Sequence, residues 1–203
     1  AQSTICNNTA PVKYWMHNNM ITINGRKMGK SYNNVIKLTE LFSGDHPLLT
    51  QAFHPMVVRF FILQSQYRST LDFSNEALHA SEKGLERLWE AYENLIRLQS
   101  RSNELAADAG DKELDQKVSK LVDEFDEFMN DDINTAKVLA NMFELAPIIN
   151  GIKDKVVNIT ALSINTFNKL QAQLKVYLED IFGLKGVSAA DNEKLKDVMQ
   201  VLI

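Results

Sequence analysis

One cysteine in 203 residues excludes an internal disulfide, and it excludes any zinc knuckle built from several cysteines of this chain. Such sparse use suits a reducing compartment, and the expected location is the cytoplasm. The chain lacks an apolar run of membrane-spanning length and its mean hydropathy is -0.22, which argues for a soluble protein without a membrane partner. It also lacks an excess of positive charge. A net charge of -4 argues against holding nucleic acid by bulk electrostatics alone, while leaving a local basic patch open. The first residues, "AQSTICNN", have no basic start, no apolar core and no initiator Met. No secretory signal is expected, and the chain is expected to begin inside a longer protein. What is present is 45% hydrophobic content, enough for one large domain or two small ones.

Strand patterning is scarce too. Met20 to Ile23 alternate and then meet Asn24-Gly25, the pair that best tolerates the positive φ angles of a tight hairpin. Arg26 to Met28 start the return, and little else reads as sheet. The stretch Gly25 to Ser31 comes close to a P-loop. That motif needs four residues between its first glycine and Gly-Lys-Ser, so that backbone N–H groups can curl around phosphates. Here only Arg26, Lys27 and Met28 intervene, so the P-loop reading fails.

The remainder is helical. "LTELF" predicts a short helix ended by Ser43-Gly44. Pro55 opens an apolar segment, Val57 to Leu63, expected to be a buried helix linking two domains. Ser74 is the expected N-cap of a long helix with Glu76 in its first turn and Leu78, Leu85, Leu88, Trp89, Tyr92, Leu95 and Ile96 inward. Residues 101–113 read as a flexible polar loop. A second long helix carries Leu114, Val118, Leu121, Val122, Phe125, Phe128 and Met129. A third starts at Asn134, and Pro147 should kink it or end it before Ile148. Ser163 caps a fourth, with Phe167, Leu170, Leu174, Tyr177, Leu178, Ile181 and Phe182 inward and Gly183 at its end. A fifth is expected from Ser188, with Asp191 placed for a capping box and its stripe still running at the last residue. Both ends read as cut from something longer.

Lys27 and Lys30, three apart beside Gly25 and Gly29, can follow a polyphosphate and neutralise charge on a leaving pyrophosphate. The glycines would let such a loop close and reopen. A solvated basic hairpin fits the same spacing. Trp89, Tyr92, Phe125 and Phe128 could stack on bases, but their helical spacing assigns them to a core. The run "DEFDEFMNDD" lacks the glycine and ligand spacing of a calcium loop. It reads as a solvated helix face followed by a cap, and no metal site is expected; His17 beside aromatics reads as structural.

The string Tyr14 to Ser31, "YWMHNNMITINGRKMGKS", resembles the segment of class I aminoacyl-tRNA synthetases that ends in their KMSKS signature. With "RFFILQSQYRSTLDFSNEAL" and "FMNDDINTAKVLANMFEL" following in order, the chain is similar to the cysteinyl-tRNA synthetase family over Ala1 to about Leu184, more weakly after Asn150. The resemblance implies an enzyme that joins L-cysteine to ATP, releases pyrophosphate and passes the cysteinyl group to tRNA(Cys). It implies ATP contacts from Lys27, Met28, Gly29, Lys30 and Ser31, with Lys27 and Lys30 catalytic. Gly29 stands where the family usually has serine, and Tyr32-Asn33 where it has Leu-Gly. Gly29 is expected to loosen the loop.

The implied architecture is mainly α. Residues 1–31 form the tail of a Rossmann-type catalytic domain and 32–73 a stem-contact connecting region. Residues 74–184 form an antiparallel helical bundle on the anticodon side, and 185–203 start a truncated helix. Lys37, Arg59 and Arg68 are candidate contacts to tRNA phosphates; for the two arginines, pairing with an acid such as Asp72 is the alternative. The family's HIGH motif and its zinc site would precede this chain, so zinc, like turnover with ATP and Mg2+, is expected only of the parent enzyme. The family suggests a monomer. The alternatives are a non-catalytic helical interaction module and a synthetase-like ligase acting on a small molecule such as an amino sugar.

Overall fold

The structure is a computed structural model that describes residues 2–187. Ala1 and the helix expected from Ser188 lie outside the described residues. A short helix, α1 (Gln2–Asn7), opens the chain. An exposed stretch follows in which Trp15 stacks on His17 with ring centroids 6.1 Å apart.

The expected hairpin is present. Strands β1 (Ile21–Ile23) and β2 (Arg26–Lys27) pair antiparallel around Asn24 and Gly25, whose φ angles are +50° and +75°. Both central residues need the left-handed region, which is why Asn-Gly occupies the turn. A third strand, β3 (Leu71–Phe73), was not expected. It runs parallel to β1 with Ile21 opposite Leu71, giving the order β2-β1-β3. Three residues carry no readable alternation; the strand is specified by its partner through bonds such as Leu71 N–H to the Met20 carbonyl at 3.1 Å.

Helix α2 (Leu38–Ser43) starts where the Glu40 carboxylate turns back to accept the Lys37 N–H at 2.8 Å. Helix α3 (Pro55–Leu63) buries Val57, Val58, Phe60 and Phe61 but leaves Ile62 49% exposed. The segment is apolar nearly all round, Arg59 excepted, yet it is amphipathic in its surroundings and not enclosed.

Four longer helices make the bundle: α4 (Asn75–Leu98), α5 (Lys112–Asn130), α6 (Thr135–Lys153) and α7 (Ile164–Lys175). Their caps follow the sequence. Ser74 Oγ accepts the Ala77 N–H at 3.2 Å, Asn134 Oδ1 that of Lys137 at 3.2 Å, and Ser163 Oγ that of Thr166 at 3.3 Å. The four residues between α5 and α6 permit only an antiparallel return. Helix α6 packs most extensively on α4 and α5, and α3 docks on α4.

Four expectations are corrected. Helix α6 does not end at Pro147 but runs six residues further, to Lys153. Proline removes one backbone bond there, but Ala146, Ile149 and Ile152 are buried around it, and packing outweighs the missing bond. Ile96 is 52% exposed, one residue round the helix from buried Leu95. Ile181 is 48% exposed because Val176–Ile181 form a π-helical turn whose extra residue shifts it outward, while Phe182 and Leu184 turn in. The polar stretch 101–113 is not all loop. Gln99–Glu104 form a 3₁₀ turn, Arg101 grips Glu104 with two bonds of 2.7 and 2.8 Å, and the Gly110 N–H reaches the Thr160 carbonyl at 2.8 Å.

One continuous hydrophobic cluster joins these parts. Leu41 and Phe53 of the connecting segment share it with the bundle residues out to Leu184. The sheet meets this cluster through Leu71 and Phe73 of β3, which pack against it.

Candidate functional site

The hairpin loop is braced at two points by side chains distant in sequence or buried beneath it. At its tip, Asp72 Oδ1 on β3 accepts the Gly25 N–H at 2.7 Å and the Thr22 hydroxyl at 2.5 Å. One carboxylate thus fixes the turn that aims β2. Past β2, Lys30–Tyr32 form a single 3₁₀ turn in which the Tyr32 N–H bonds the Gly29 carbonyl at 3.0 Å and the Asn33 N–H bonds that of Lys30 at 3.1 Å. Underneath lies the buried side chain of Asn34. Its Oδ1 accepts the Gly29 N–H at 2.9 Å and its Nδ2 donates to the Lys27 carbonyl at 3.1 Å.

These bonds hold the backbone at Gly29. Its φ of -171° is extended backbone open to any residue, and its N–H is held by Asn34. A Cβ there would meet the Tyr32 ring at 3.4 Å, ordinary contact distance. In this conformation the backbone does not require glycine at 29. Asn33, by contrast, sits at φ +50°, a conformation that glycine or asparagine adopts readily, which accounts for the exchange of one for the other at this place. Arg26 lies over the Tyr32 ring, 5.9 Å from its centroid, and covers the outside of the loop.

Lys27, Lys30 and Ser31 are exposed, and Met28 and Gly29 half-buried. Lys30 and Lys37 line one open pocket of about 510 Å³ with Asn33, Val35, Glu40 and His46. Lys37 pairs with Glu40 at 3.5 Å, and its N–H holds the Glu40 carboxyl below the usual carboxylate range. The other two basic candidates lie elsewhere. Arg59 Nη1 donates to the Phe182 carbonyl at 3.1 Å, at the end of the π turn. Arg68 pairs with Asp132 at 2.8 Å, on the turn between α5 and α6. The acid for Arg68 is therefore Asp132 and not Asp72, which bonds the hairpin from β3.

The acidic run is likewise more engaged than a solvated face. Asp132, at φ +60°, accepts from Tyr67 Oη at 2.6 Å, from Arg68 and from Gln66, and these donors hold its carboxyl below the usual range, Tyr67 first. Asp123 pairs with Lys169, and Asp126 accepts the Tyr177 hydroxyl at 2.5 Å. Burial first, and then that bond, pushes the Tyr177 hydroxyl well above its usual range. No group of three His, Cys, Asp or Glu side chains gathers as a metal site among the described residues. Nor is any helix among them long and apolar enough to cross a membrane. Tyr92 and Phe125 are buried in the core, and Trp89 and Phe128 pack against it.

A lysine-bearing hairpin on a small sheet is followed by a helical bundle, in the order that the resemblance of the sequence implies. Residues 1–83 match the tRNA synthetases class I (C) catalytic domain, and residues 124–185 match the DALR domain. The chain thus carries both matches in series and is similar to cysteine--tRNA ligases. Cysteine--tRNA ligase of Parabacteroides distasonis is 45% identical over 190 residues, covering 94% of this chain and 36% of that protein. The ligase of Bacteroides thetaiotaomicron is 49% identical over 185 residues, 91% of this chain and 35% of the relative. That of Chlorobaculum tepidum is 37% identical over 211 residues, 100% of this chain and 39% of the relative. The chain thus spans little more than a third of the length of the relatives it matches.

Proposed function

We propose that this chain is the part of a cysteine--tRNA ligase that grips the phosphates of ATP and receives tRNA(Cys). The observation that carries the reading is the braced hairpin bearing Lys27 and Lys30, on a chain that matches the synthetase catalytic domain and the DALR domain in series. In the proposed first step the carboxylate of L-cysteine attacks the α-phosphorus of ATP and the bond to pyrophosphate breaks. The ammonium groups of Lys27 and Lys30, with Met28, Gly29 and Ser31 completing the loop, offset the charge that grows on the leaving pyrophosphate. Mg2+ accompanies the nucleotide. The zinc ion and the HIGH motif belong to the portion of the ligase outside residues 1–203, so these residues alone do not turn over.

The proposed division assigns residues 1–31 to the catalytic domain, 32–73 to a stem-contact region, 74–184 to the tRNA-side bundle and 185–203 to a following helix. Lys37, exposed beside Lys30, is the proposed contact to the tRNA backbone nearest the loop. Arg59 and Arg68, exposed beyond their internal bonds, are the others. The ligase is a cytoplasmic monomer in this reading.

Binding of tRNA by this chain tests the reading at the tRNA end. Cysteine-specific tRNA is expected to bind more tightly than a non-cognate one, with affinity falling linearly in log salt. No binding at low salt would contradict a tRNA-receiving role and favour a small-molecule ligase.

A further inference from the structure

Resting on that ligase reading, the geometry points to Asn34 as a positioning residue: its buried amide presents Lys30 to the leaving phosphates by locking the backbone on either side of Met28. Asn34 is 8% exposed and lies five residues from Gly29 and seven from Lys27. Its two bonds use the carboxamide in one sense only. The oxygen faces an N–H at Gly29 and the nitrogen faces a carbonyl at Lys27, so a reversed amide would set donor against donor and acceptor against acceptor.

The consequence falls on Lys30. Its preceding residue is held through the Gly29 N–H by Asn34, and its own carbonyl is held by the Asn33 N–H. Its Cα is therefore fixed from both sides, and only the four-carbon stem is left to follow the phosphates. Without the Asn34 amide, the loop from Lys27 to Gly29 loses this side-chain support, and Lys30 must be ordered afresh in each reaction. A side chain with both a donor and an acceptor at this reach is needed. Aspartate lacks the donor and alanine lacks both.

The test is a double-mutant cycle in the full-length ligase carrying this chain, read by cysteine-dependent exchange between ATP and pyrophosphate. Asn34→Ala is expected to lower kcat by about 10- to 100-fold, as two lost hydrogen bonds would, with the KM for cysteine unchanged. In a Lys30→Ala background the same change is expected to lower kcat by less than about 2-fold, because the residue acts through Lys30. Hydrogen exchange in the peptide covering residues 25–34 should quicken in Asn34→Ala while the melting temperature of the bundle holds. If alanine prevents folding, Asn34→Ser replaces it in the cycle. Unchanged kcat, or effects of Asn34→Ala and Lys30→Ala that simply multiply, would overturn the positioning role. Absence of exchange in the unmutated enzyme would overturn the ligase reading and this inference with it.

Discussion

Asp132 shows what a single carboxylate does at the junction between the connecting segment and the bundle. It gathers Gln66, Tyr67 and Arg68 onto a turn that is itself left-handed at residues 132 and 133. Its pKa in the folded chain is depressed, so its contribution to stability is present above the unfolded value of about 3.9 and is lost as pH falls through the lower folded value. Asp132→Asn is therefore expected to melt below the unmutated chain at neutral pH, with the gap closing below about pH 4. A gap that stays constant across the acid range, followed by thermal unfolding, would contradict this. The residues that carry the proposed chemistry were legible in the sequence, because two lysines and their glycines lie within one short loop. Their supports were not. Asp72 sits in an apolar triplet some fifty residues away, and Asn34 reads as one more loop asparagine until the fold buries it.

At the scale of the element, the long helices were legible because an apolar stripe at helical spacing and a capping Ser, Asp or Asn are local signals. What failed was whatever packing decides. Strand β3 and helix α1 are too short to carry a pattern, Ile181 is turned outward by a π turn, and Pro147 is overridden by the neighbours of α6. Pro147 is exposed within α6. Replacing it with alanine restores an N–H to the ladder and removes a ring from the backbone of the preceding turn. An interior helical proline is worth about 3 kcal/mol, and the more flexible unfolded chain returns somewhat under 1 of that. Pro147→Ala is thus expected to stabilise the chain by about 2 kcal/mol in urea denaturation. An unchanged or lowered midpoint would mean that α6 is bent to suit the proline and its neighbours.

Over the whole molecule, one hydrophobic cluster runs from the connecting segment through the bundle. Asn19 ties the start of β1 to the backbone of Tyr67 and Arg68 with bonds of 3.0 and 2.8 Å. The hairpin is thereby joined to the same base as the α5–α6 turn, so the loop proposed to grip ATP and the bundle proposed to receive tRNA share one packed frame. That arrangement gives the lysines a fixed origin, and the central claim is that Lys30 acts on the leaving phosphates. The most direct measurement is cysteine-dependent exchange between ATP and pyrophosphate in the full-length ligase, unmutated and with Lys30→Ala. A fall of about 10²- to 10³-fold is expected, about 3–4 kcal/mol of transition-state stabilisation. Exchange at the unmutated rate in Lys30→Ala would contradict it.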